Sequence, residues 1–145
     1  MNEQEQAALE AIQRFITLYR YLRHHSRKMQ EHGIRGRDLA MLRYLLEVGQ
    51  PKIGQIQQYL FISYSSTSEL ISRMEDAGYV IRKRCKKDNR VVFVELTDAG
   101  RELAENTPMG GIPLLREKIK ALPVERLAVV NEAFAELLDL MEIEL

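Results

Sequence analysis

Residues 63–100 read SYSSTSELISRMEDAGYVIRKRCKKDNRVVFVELTDAG, and three kinds of local order follow one another in that stretch. Ser63 is an N-capping residue type, and Thr67, Leu70, Ile71 and Met74 recur at i, i+3, i+4, i+7, the spacing of one helical face. Gly78 is the natural stop. Two strands follow, at about 79–85 and 91–96. The second alternates Val92, Val94 and Leu96 against Val91, Phe93 and Glu95, with KKDN making the turn. Thr97 then caps a helix beginning TDAGRELAEN.

The hairpin tip is strongly basic. Residues 82–90 hold Arg82, Lys83, Arg84, Lys86, Lys87 and Arg90 against Asp88, in a chain of zero net charge. The balancing charge lies elsewhere: residues 123–145 hold Glu125, Glu132, Glu136, Asp139, Glu142 and Glu144 against Arg126. Charge is segregated, and segregation builds a local positive field on a neutral molecule.

Upstream, the spacing predicts a helix over 5–32, with Leu9, Ile12, Ile16 and Tyr19 on one stripe and Gly33 as its stop. A second helix is expected over 37–48, with Leu39, Leu42, Leu45 and Leu46 inward. A third is expected over about 53–60, carrying Ile53, Ile56 and Leu60 but lacking a Ser, Thr or Asp cap. Downstream, TPMGGIP at 107–113 interrupts the helix opened by Thr97. Helix resumes over about 114–121, and a last helix opens with Pro123 at its first position.

Length and composition fit this reading. The 145 residues are 46% hydrophobic and 29% charged, as expected of a single globular domain. No stretch approaches the roughly 20 apolar residues needed to cross a bilayer. The opening MNEQEQAALEA lacks the basic and apolar regions of a signal peptide, and Cys85 is the single cysteine. The expectation is a cytoplasmic protein with no membrane partner.

Three short helices and a hairpin describe a winged helix-turn-helix. The fold class is mainly α with a small antiparallel β-hairpin, flanked by N- and C-terminal helices. Opposite the apolar face of helix 63–76 lie Ser65, Ser68, Glu69, Ser72 and Asp76. With Ser63, Ser66 and Arg73 they make the candidate recognition surface. Hydroxyls and helix N-terminal N–H groups take phosphate oxygens, and short side chains let a helix sit deep in a major groove. A serine-rich start also suits a merely soluble, capped helix. On the wing, Arg84, Lys86, Lys87, Asp88 and Arg90 are the candidates for DNA contact. Asp88 is placed to hold the Arg90 guanidinium through a bidentate pair.

The run from 39 to 100 resembles the MarR family of transcriptional regulators. The likeness is carried by LAMLRYLLEVG, SSTSELISRMEDAGYVIRK and DNRVVFVELTDAG. The last fits the family's Asp-x-Arg…Leu-Thr-x-x-Gly signature at Asp88, Arg90, Leu96, Thr97 and Gly100. The resemblance implies a two-fold homodimer, with residues 1–34 and 101–145 as the dimerisation region and 35–100 as the winged DNA-binding region. It implies that the exposed face of helix 63–76 reads the major groove of double-stranded DNA while Arg90 enters the minor groove. It also implies a small-molecule effector pocket beside the dimerisation helices, for which Tyr19, Arg23, Met41 and Tyr44 are suitable lining types, though such residues equally form core.

Two features depart from the family pattern. Glu69 is a carboxylate where phosphate is expected nearby, so either it accepts from a cytosine amine or Arg73 at i+4 neutralises it. The Gly110-Gly111 pair is either a hinge or a connector.

The terminal helices argue for a dimer on their own. Leu9, Ile12 and Ile16 at one end, with Leu127, Val130, Phe134, Leu137 and Met141 at the other, form stripes too extensive for a small winged lobe to cover. Packing of the two helices on each other within one chain is the alternative. Operator half-sites about 34 Å apart favour two lobes.

Other constellations are weaker. Cys85 between Arg84 and Lys86 suits a redox sensor or a plain strand residue. His24, His25 and His32 could contribute to a metal site, but no further spacing completes a ligand set, and no cofactor is expected. No nucleophile elbow, P-loop or dinucleotide fingerprint is present, so an enzyme is not expected. The function expected is sequence-specific transcriptional regulation, repression released by an effector, with a protein-interaction winged helix as the alternative.

Overall fold

The computed structural model describes residues 1–145 apart from His32, and for Gln30 it describes the backbone alone. It divides into two compact units, Met1–Pro113 and Leu114–Leu145.

In the first unit, α1 (Glu3–Glu31) is followed by α2 (Gly36–Val48), α3 (Ile53–Leu60) and α4 (Tyr64–Asp76), then β1 (Val80–Arg84), β2 (Val92–Leu96) and α5 (Asp98–Asn106). The α4 cap is as expected: Ser63 Oγ accepts the Ser66 N–H at 3.1 Å. The start of α3 has half of a capping box instead of a hydroxyl, since Gln55 Oε1 accepts the Lys52 N–H at 2.8 Å. The strands pair antiparallel from Val80 opposite Leu96 to Arg84 opposite Val92. The outer side of β2 is also engaged, because the Val94 N–H donates to the Pro51 carbonyl at 3.0 Å.

One core joins these elements. Met41, Leu42 and Leu45 of α2, Ile56 of α3, Leu70, Ile71 and Met74 of α4, Val80, Val94 and Ala104 of α5 form a single buried cluster. Met41 is fully buried there, and the Tyr44 ring stacks on Tyr59 at 4.2 Å. Both serve the packing.

Gly100 has a steric reason. A Cβ there would lie 2.0 Å from the Tyr79 carbonyl oxygen. Thr97 brings the two segments together: its Oγ1 donates to the Gly78 carbonyl at 2.6 Å, and it accepts the Gly100 N–H at 3.1 Å. The Leu-Thr-x-x-Gly signature is thus a cap plus the space its closeness demands.

Gly110 and Gly111 are likewise explained by contact. The His25 imidazole lies against them, so that a Cβ on Gly110 would come within 2.4 Å of its Cε1 and one on Gly111 within 2.6 Å of its Cδ2. The neighbouring Tyr21 hydroxyl accepts the Gly111 N–H at 3.2 Å.

Helix α6 (Gly111–Lys120) begins three residues earlier than the sequence suggests. Pro113 falls in its first turn, where a missing N–H breaks no helical bond. The second unit holds the rest of α6 and α7 (Val124–Leu140). Pro123 is the N-cap of α7 and not its first helical residue, and Met141 lies just past its end.

Candidate nucleic-acid interface

On α4, Ser65, Glu69 and Asp76 are exposed, while Ser66, Ser68 and Ser72 are half-buried. The first-turn hydroxyls are organised among themselves. Ser63 Oγ lies 2.9 Å from Ser66 Oγ and 3.2 Å from Ser65 Oγ. Tyr64, on the same turn, is 60% exposed. It belongs to this surface although the sequence reading passed over it, because an aromatic at a helix start signals neither face.

Arg73 removes one of the two alternatives open for Glu69. Its guanidinium does not turn to Glu69 but pairs with Asp38 of α2 at 2.5 Å. Glu69 is left on the exposed face, able to accept from a donor such as a cytosine amine. Ser72 is also committed internally, since its hydroxyl accepts from Arg82 at 2.9 Å.

The basic wing divides into two sets. The strand cations serve the protein: Arg82 bonds Glu75 at 2.8 Å, Lys83 pairs with Glu95 at 2.6 Å, and Arg84 donates to the Asn89 carbonyl at 3.0 Å. The tip cations Lys86, Lys87 and Arg90 are exposed, Arg90 at 91%. Asp88 does meet Arg90, but through one oxygen. Its Oδ1 accepts both the Arg90 peptide N–H at 3.0 Å and Nε at 3.2 Å. This closes a turn and orients the stem of the guanidinium without a bidentate fork.

Cys85 is half-buried at the end of β1, with its N–H donating to the Val91 carbonyl at 2.9 Å. Among the described residues no group of three or more His, Cys, Asp or Glu side chains is arranged to hold a metal. His25 is instead engaged with the double glycine, and His32 lies outside the described residues. No helix among the described residues is long and apolar enough to cross a membrane.

Residues 23–107 match the family described as "Transcriptional regulator SarA/Rot". The fold is similar to that of Sco3205 of Streptomyces coelicolor, a MarR family transcriptional regulator solved in complex with DNA. The TM-score is 0.64 and the identity 25%, over 94% of this chain and 87% of that one. The chain belongs to the MarR-type winged-helix transcriptional regulators. Two relatives come from Bacillus subtilis strain 168. The HTH-type regulator YkoM is 31% identical over 103 residues, covering 70% of this chain and 67% of that protein. The HTH-type regulator YcgE is 30% identical over 152 aligned positions, covering 99% and 92%. Family and fold are those of regulators and not of enzymes.

Proposed function

We propose that this MarR-type chain binds double-stranded DNA sequence-specifically as a cytoplasmic homodimer, as a repressor released by a small-molecule effector. The α4 surface of Ser63, Tyr64, Ser65, Ser66, Ser68 and Glu69 reads the major groove. Lys86, Lys87 and Arg90 reach the flanking backbone or minor groove. The observation that carries this reading is the division of the wing cations. The strand cations Arg82 and Lys83 pair with carboxylates of the protein, whereas the tip cations Lys86, Lys87 and Arg90 are exposed, Arg90 held at its stem by Asp88. A wing built only for solubility has no need of that partition.

Self-association is supported by the terminal helices. Leu9, Ile12 and Ile16 of α1 are 55%, 55% and 38% exposed, and Phe134 and Leu137 of α7 are 44% and 43% exposed, large apolar side chains left facing solvent in one chain. An effector acts by favouring a dimer whose two α4 helices no longer match the half-site spacing.

Titration of the protein into fluorescent duplex from upstream of its own coding region, against a scrambled duplex at two salt concentrations, tests the reading. Tight, site-dependent binding with a steep salt slope is expected. Equal, weak binding to every duplex in a random selection points to a protein-contact winged helix instead.

A further inference from the structure

Arg82 occupies an unusual place for a cation. Along β1 the side chains alternate, and Val80, two residues earlier on the same face, is fully buried. The cross-strand partner of Arg82, Val94, is also fully buried. Where an apolar side chain would extend the core, the chain has a guanidinium that turns toward α4.

There Arg82 makes four directional bonds, three of them from the guanidinium. The Arg82 peptide N–H donates to Glu75 Oε2 at 3.1 Å, and Nη1 donates to Glu75 Oε1 at 2.8 Å. Nη2 donates to Ser72 Oγ at 2.9 Å and to the Ser68 carbonyl at 3.2 Å. The side chains of Arg82 and Glu75 are 26% and 37% exposed, so the network is partly shielded from solvent. An apolar contact at this point would hold the strand to the helix but leave its angle soft. Bonds from one planar group to three successive turns of α4 fix the angle as well.

We propose that Arg82 is a positioning residue for operator discrimination. By locking β1 onto Glu75, Ser72 and Ser68, it sets the angle between wing and recognition helix, and it acts on DNA only through that angle. The inference rests on the DNA-binding reading above. Recognition needs the tip cations and the α4 surface to meet one duplex at once, in one register. A wing free to swing still finds phosphate, whereas the penalty for a wrong sequence is blunted.

The test uses the full chain with two charge changes of opposite sign, Arg82→Gln and Glu75→Gln. Affinity is measured by fluorescence anisotropy, across several salt concentrations, for the best duplex from a random-duplex selection on the wild-type protein and for its scrambled counterpart. Both variants are expected to lose about tenfold or more in preference for the selected duplex, with scrambled-duplex affinity changed about twofold or less. The double variant is expected to lose no more than either alone, the mark of two groups acting as a unit. Arg82→Lys is expected to restore only part of the preference.

A direct phosphate contact by Arg82 predicts otherwise. Arg82→Gln would then weaken both duplexes alike and lower the salt slope by about one, while Glu75→Gln tightened binding. That outcome overturns the proposal, as does a preference retained by both variants. A wild-type chain with no preference for any duplex overturns the DNA reading and this proposal with it. Ser72→Ala, which removes one bond and no charge, supplies the same comparison if circular dichroism shows Arg82→Gln to be unfolded, with a smaller loss of preference expected.

Discussion

The guanidinium of Arg73 on α4 lies 2.5 Å from the carboxylate of Asp38, which is 2% exposed in the first turn of α2. The same carboxylate accepts the Arg35 N–H at 3.0 Å, so it caps α2 and anchors the recognition helix together. Removing Arg73 leaves a buried charge with one partner. Arg73→Ala is expected to destabilise the fold by about 2–4 kcal/mol in urea unfolding. Asp38→Asn keeps an acceptor for Arg35 and leaves a cation that can reach water, and it is expected to cost about 1–2 kcal/mol.

The wing tip should behave in the opposite way. Arg90 is 91% exposed and Lys86 and Lys87 are exposed, so their removal is expected to leave the melting temperature unchanged. Arg90→Ala should weaken DNA binding by about 1–3 kcal/mol, and Lys86→Ala should reduce the salt slope by about one. Unaltered affinity of Arg90→Ala in the anisotropy titration would remove the wing from the interface.

Gly100→Ala is a test of the fold with no bearing on charge. The added Cβ would be 2.0 Å from a backbone oxygen, so the α5 start or the β1 start must move. A loss of about 3 kcal/mol is expected, at the upper end of ordinary overpacking, read from thermal unfolding by circular dichroism.

Phe134→Glu probes self-association. Phe134 is 44% exposed on α7 and lies outside the buried core cluster of the single chain. The expected result is a molecular mass halved in sedimentation equilibrium at micromolar concentration, with helix content retained. A mass already that of one chain in the wild-type protein would rule out the dimer.

Local order was legible in the sequence where one residue type has one local use. The change from a period of 3.6 to a period of 2 at Gly78 marked the passage from α4 to the wing, and Ser63 and Thr97 announced their caps. Helix α6 was placed late because Gly110, Gly111 and Pro113 read as breakers, although a first turn tolerates them. Long side chains were the least legible. The helix wheel offers Glu69 at i+4 as one partner for Arg73, but its partner lies 35 positions away on α2. Arg82 was one cation among six until the hairpin register turned it inward. Neither pairing has a local signal, because a helix wheel shows neighbours on one helix and nothing of what packs across from it.

The notch that Gly110 and Gly111 open for the His25 ring ties three positions into one inheritance. A side chain cannot be gained at either glycine while the imidazole keeps its place. Across descendants of this gene the three sites should therefore drift in concert. An alanine at 110 is expected alongside a smaller residue at 25, and the Tyr21 hydroxyl, whose partner is a backbone N–H, is free to persist through either change.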